Sequence, residues 1–177
     1  MIRRLLVLAA AGLVVSGGTG AGAAGTTPKM AVTSPAFGRG EPIPDGFTCD
    51  GADASPPLRF RNVPKRAKEL ALVMHDPDVP VPGGFTHWVA WHLPRKGVPE
   101  ETLPPGVVQG ANGTGAAEYR GPCPPQGSAH HYVFTLYAVS KPIDLPAGAT
   151  KDELLDAVRN TTVAKARLIG TYARATS

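Results

Sequence analysis

Five histidines, His75, His87, His92, His130 and His131, fall between positions 75 and 131, and the run HDPDVP places Asp76 and Asp78 around Pro77 directly after the first of them. Imidazoles beside carboxylates serve three chemistries. Asp76 with His87 and His130 would make a two-histidine, one-carboxylate metal set, or an acid–base pair acting on a phosphoester. No motif in the chain requires a metal, and no serine stands in a G-x-S-x-G context. The enzymatic reading therefore ranks last, with no catalytic residue, cofactor or metal assigned. The third chemistry is anion binding. A carboxylate repels an anion, so Asp76 fits such a site only by pairing with an imidazole and favouring the protonated state of His87 or His130. Asp78, on the far side of Pro77, is expected to brace the turn through side chain to backbone hydrogen bonds.

A second concentration of informative residues is YRGPCPPQGSAHHY, residues 119–132. Pro122, Pro124 and Pro125 fix φ, while Gly121 and Gly127 permit tight turns, so a stiff loop should deliver His130 to a set place. Such a loop is able to aim backbone N–H groups at an anion as a small nest. Arg120 either steers an anion toward this rim or is a solvated loop residue.

These residues need strands to position them. Residues 69–75, ELALVMH, read as a buried strand, and residues 86–93 alternate His87, Val89, Trp91 and Leu93 against Trp88, Ala90 and His92. Residues 130–140 form another strand with both faces largely apolar, which suits a central position. Side-chain parity puts His130 and Tyr132 on one face and His131 on the other. By the same rule His75 points away from Asp76. One helix is expected at residues 150–160, where Thr150 and Glu153 form a capping box ahead of Leu154, Leu155 and Val158. Residues 163–172 then read as a closing strand with Lys165 and Arg167 on its solvated face.

The whole chain sets the frame. It has 177 residues, with 21 glycines and 19 prolines that leave little room for long helices, so a mainly β domain is expected. Residues 1–24 carry Arg3 and Arg4, an apolar run from Leu5 to Val15 and then small residues, the pattern of a secretory signal. Residues 25–29 are expected to be a flexible tail, and 30–177 a single domain without repeats or linkers. A secreted, periplasmic or cell-envelope location follows, with no transmembrane segment after processing. The formal charge is +4, and removing Arg3 and Arg4 leaves about +2. Basic residues are not interleaved with aromatics, so no nucleic-acid partner is expected. Export allows a Cys49–Cys123 disulfide, with two free thiols as the alternative.

The runs HDPDVP, THWVAWHLP, YRGPCPPQG and HHYVFTLYA, in this order and spacing, resemble the phosphatidylethanolamine-binding protein family, in its bacterial branch similar to Raf kinase inhibitor protein. The resemblance extends from SPAFGRGEPIPDGFTCDG to the closing ATKDELLDAVRN and beyond. It implies two antiparallel sheets with Greek-key character, one or two short helices, and a small pocket for phosphate or a phospholipid headgroup. Its pocket residues fall on Asp76, His87, His130 and Tyr132, with a rim of Gly121, Pro122, Cys123, Pro124 and Pro125. It also implies a regulatory alternative: relatives include kinase and protease inhibitors, and an exported protein would meet a protease. A homodimer is a further expectation drawn from bacterial relatives.

Overall fold

The structure, a computed structural model, describes residues 28–176. The expected signal segment 1–24 and residues 25–27 of the expected tail lie outside the described residues. Eight strands and one α-helix are described: β1 (Ala31–Thr33), β2 (Leu58–Arg61), β3 (Glu69–Asp76), β4 (Phe85–Trp91), β5 (Gly97–Val98), β6 (Val108–Gly110), β7 (Ala129–Val139), α1 (Lys151–Val158) and β8 (Thr162–Ala173). A short 3-10 turn at Asp45–Phe47 is the second helical element.

The strands form two antiparallel sheets, β1-β2-β5 and β6-β4-β3-β7-β8. In the larger sheet β3, β4 and β6 lie side by side in chain order, and β7 then returns to pair with β3. That is the Greek-key arrangement. It makes β3 and β7 neighbours, and their ends carry Asp76 and His130.

Period-two alternation assigns the core. From β3 and β7, Leu70, Leu72, Met74, Tyr132, Phe134 and Leu136 point toward the smaller sheet and meet Val32, Leu58 and Phe60. The opposite face of the larger sheet, with Ala71, Val73, Trp91 and Val139, packs under Leu154 and Val158 of α1. Burial on both faces is why β3 reads as a nearly continuous apolar run. The helix starts where its capping box dictates: Glu153 N–H donates to Thr150 Oγ1 at 3.3 Å, and Thr150 N–H donates to Glu153 Oε2 at 2.7 Å. Among the described residues no helix is long and apolar enough to cross a membrane.

Cys49 and Cys123 form a disulfide between residues 74 apart in sequence, with Cα atoms 5.4 Å apart. Closing a loop of that length stabilises the fold by about 4.5 kcal/mol in the chain-entropy model. The paired Cys49→Ser and Cys123→Ser variant is expected to lose several kcal/mol in guanidinium unfolding. An unchanged midpoint and slope would show that the bridge contributes nothing to stability.

Candidate functional site

The site is built where β3, β4 and β7 end together. Asp76, the last residue of β3, is buried, and Pro77 stops the ladder by lacking an N–H. Its carboxylate is satisfied on both oxygens: Oδ1 accepts the Asp78 backbone N–H at 2.8 Å, and Oδ2 lies 2.7 Å from His130 Nδ1. A carboxylate only accepts, so His130 donates from Nδ1. Asp78 braces the turn from the other side: its Oδ2 takes the His131 backbone N–H at 2.7 Å and His131 Nδ1 at 2.8 Å. The returning chain passes so close that a Cβ on Gly84 would sit 2.1 Å from the Asp76 carbonyl oxygen. With φ at +63°, Gly84 is also in the left-handed region, so only glycine fits there.

His87 reaches this site through a β-bulge. Met74 pairs with Trp88 but His75 pairs with Thr86, so His87 is an extra residue in β4 with no partner opposite. Simple alternation groups His87 with Val89 and Trp91, which lie under α1. The bulge turns it instead to the opposite face, where its ring meets Tyr132 edge-on at 5.1 Å and Phe85 at 4.9 Å. His75 stays on the other side of the sheet, half-buried and opposite Val133. His92 follows the end of β4 in a left-handed conformation and pairs with Glu69 at 3.0 Å, away from the site.

The proline-rich loop is clamped between β4 and the 45–53 segment. Arg120 N–H donates to the His87 carbonyl at 3.0 Å, and His87 Nδ1 lies 2.7 Å from the Arg120 carbonyl. Gly121 N–H donates to Asp53 Oδ1 at 2.6 Å, and the Tyr119 hydroxyl donates to the Phe47 carbonyl at 2.7 Å. The Cys49–Cys123 bridge closes the clamp. Two expectations are corrected here. Pro122 does not line the pocket: it is buried beneath the rim, where its carbonyl accepts the Cys49 N–H at 3.1 Å. The backbone nest does not form either, because Asp53 takes the Gly121 N–H and three of the five residues from Gly121 to Pro125 are prolines.

Together these elements enclose a cavity of about 600 Å³. Asp76, His87, His130 and Tyr132 line its polar side, with Gly121, Cys123, Pro124 and Pro125 at the rim. The structure adds Arg120 and Ser128 to the polar side and Val79, Pro80 and Phe85 to an apolar one. Asp78 also lines it, besides holding the turn. Of these additions only Arg120 carried a sequence signal, as the charged residue entering the rigid loop.

Electrostatics distinguish the two histidines. Burial is the main influence on His87 and holds its imidazole below the ordinary value, against the raising effect of its bond to the Arg120 carbonyl and of Asp76. Of the two imidazoles open to Asp76, the carboxylate bonds His130; at His87 it acts only as a nearby charge that favours protonation, and burial outweighs it. A carbonyl only accepts, so the neutral His87 ring carries its proton on Nδ1 and its lone pair on Nε2. Tyr132 is fully buried, and among the described residues its hydroxyl has no hydrogen-bond partner. Burial, then the Asp76 and Asp78 charges, push the phenol far above its ordinary value, so it stays a donor. Asp76 acts on it both as a nearby charge and as a close acceptor, though not in a hydrogen bond of good geometry. Among the described residues no three His, Cys, Asp or Glu side chains converge to hold a metal ion.

Residues 33–173 match the model of the family described as phosphatidylethanolamine-binding protein. The chain belongs to this family. A UPF0098 protein of Methanothermobacter thermautotrophicus is 45% identical over 139 residues, covering 75% of this chain and 91% of that protein. A phosphatidylethanolamine-binding protein homolog from Chlamydia trachomatis superposes with a TM-score of 0.78 at 39% identity, covering 82% of this chain and 98% of its own. E. coli YbcL, a structure described as a new member of the mammalian family, gives 0.77 at 28% identity, with coverage of 82% and 99%. The bacterial branch of the phosphatidylethanolamine-binding proteins is therefore the family context for the pocket.

Because folded His87 lies below its unfolded value, it contributes stability that is complete above the ordinary imidazole range and is lost as pH falls toward the depressed folded value. Histidine ring NMR of the unliganded protein should show His87 titrating below about 6.5, with its neutral form protonated on Nδ1. Titration at or above that value would show that burial does not govern the site.

Proposed function

We propose that this chain is an exported, non-enzymatic binding protein whose pocket receives an anionic group of the phosphate or phospholipid-headgroup kind. The observation that carries the reading is the convergence of Tyr132, His87 and His130 on one cavity wall, where the phenol stays protonated and its buried hydroxyl has no hydrogen bond of good geometry among the described residues. Leaving such a group unsatisfied costs about 1–3 kcal/mol, which a ligand oxygen would recover once a small shift of the wall exposes the hydroxyl. His87 and His130 flank it, each with Nδ1 committed to the protein. Their Nε2 atoms are the ring nitrogens left for a ligand, and protonation would turn each into a donor.

Two further observations support the reading. The Asp76 carboxylate is engaged by His130 and by the Asp78 backbone N–H, and both cysteines are in the disulfide, an arrangement that suits a binding wall. The leader pattern and the exposed disulfide both suit an oxidising compartment outside the cytoplasm.

Calorimetry with inorganic phosphate tests the carrying observation. Tyr132→Phe is expected to weaken binding at least about tenfold, the scale of a hydrogen bond to a charged group. The same variant should leave the unliganded protein as stable or more stable, because it removes a polar atom with no partner. Unchanged phosphate affinity in Tyr132→Phe would contradict the proposal.

The pH dependence gives a second test, with sulfate as a probe whose charge is constant over the range. A bound anion favours protonated His87, so affinity should strengthen as pH falls from 8.5 toward 5, roughly through the imidazole range. Asp76, His130 and Arg120 face the same cavity and do not reverse that sign. A flat profile would remove His87 from the binding step.

A further inference from the structure

We propose that Arg120 sets the ligand specificity of this pocket, selecting doubly charged organic phosphomonoesters over singly charged phosphodiesters. The inference rests on the anion-binding reading and goes beyond it by naming the ligand class.

The charges around the cavity are nearly all committed. Asp76 faces His130 at 2.7 Å, and Asp78 faces His131 at 2.8 Å, so each carboxylate has its own imidazole. His87 is kept uncharged by burial. Arg120 is different. It lines the cavity and is exposed, yet among the described residues its side chain makes no hydrogen bond or ion pair. Its charge is nevertheless felt at His87, where it opposes protonation. A guanidinium is permanently charged, so its attraction persists at any physiological pH.

The backbone fixes where this charge can reach. Arg120 donates its N–H to the His87 carbonyl and receives His87 Nδ1 on its own carbonyl, at 3.0 and 2.7 Å. The next residue is held by Asp53, and a Cβ on Gly121 would lie 2.4 Å from Asp53 Oδ1. The root of the side chain is thus locked beside His87, with only the side chain itself free to swing over the cavity.

Ligand chemistry follows from the two walls. A terminal phosphoryl group offers three oxygens and two charges, so one oxygen can accept from Tyr132 while others face the guanidinium fork. A diester offers two such oxygens and one charge, and an ethanolamine diester brings an ammonium that Arg120 repels. The cavity, at about 600 Å³, lies in the range of whole organic ligands. Phe85, Val79, Pro80, Pro124 and Pro125 make the remaining wall apolar. The class indicated is a phosphomonoester bearing an apolar or aromatic group.

Phenyl phosphate and methyl phenyl phosphate, compared by calorimetry at pH 8, separate the two charge states on one ring. The wild-type protein should bind the monoester at least tenfold tighter, and Arg120→Gln should bring that ratio close to one while moving diester affinity less than threefold. Arg120→Lys should retain part of the preference. An Arg120→Gln protein that keeps the wild-type ratio would overturn the role of Arg120 and leave the anion reading standing. Equal wild-type affinity for both esters would overturn the selectivity. No wild-type binding of either ester, nor of inorganic phosphate, would overturn the anion reading and this inference with it.

Discussion

A carboxylate 2% exposed to solvent has to be met by donors, and the Asp76 carboxylate is met by the Asp78 backbone N–H and by His130 Nδ1. That single requirement organises the pocket. It ties the end of β3 to the start of β7, curls the 77–84 turn back over the sheet, and sets the His130 ring with Nε2 as its remaining nitrogen. Asp78 repeats the logic one step outward with His131, so the turn is fastened to β7 by two adjacent acid–imidazole contacts. The Greek-key pairing of β3 with β7 brings these residues together.

Around that frame, stability and binding pull in different directions. The clamp of the 119–123 loop, with the disulfide, the Asp53 contact to Gly121 and the Tyr119 bond to Phe47, rigidifies the rim. Tyr132 does the opposite, since its buried hydroxyl has no partner among the described residues. A site that carries a destabilising donor within a tightly braced wall is pre-organised for an acceptor arriving from outside. Burial of His87 has the opposite sense at neutral pH: its Nε2 carries a lone pair, and it becomes a donor for an anion only on taking up a proton that burial opposes.

Much of this was legible in the chain because period-two alternation is a geometric rule. It placed His130 with Tyr132, separated Asp76 from His75, and identified β7 as central from its two apolar faces. The capping box of Thr150 and Glu153 likewise marked the helix start within one residue. Alternation failed at His87, because a bulge inserts one residue without any composition signal. The resemblance to the family named His87 as a pocket residue where parity pointed it under α1, and the bulge is the physical reconciliation. Pro122 was misplaced because a proline in a loop reads the same whether its ring faces the ligand or its carbonyl is used underneath. The apolar wall of Phe85, Val79 and Pro80 depends on how the turn folds over the sheet, which no local pattern encodes.

The central claim is that the cavity around Asp76 is completed by an anion at the Tyr132 hydroxyl. A crystal structure of the protein soaked in phenyl phosphate tests it most directly. A phosphoryl oxygen is expected within hydrogen-bond distance of Tyr132 Oη, with the phenyl ring against Phe85 and Pro124. A phosphoryl group bound elsewhere, or a ring inserted against Tyr132 with the phosphate in solvent, would contradict it.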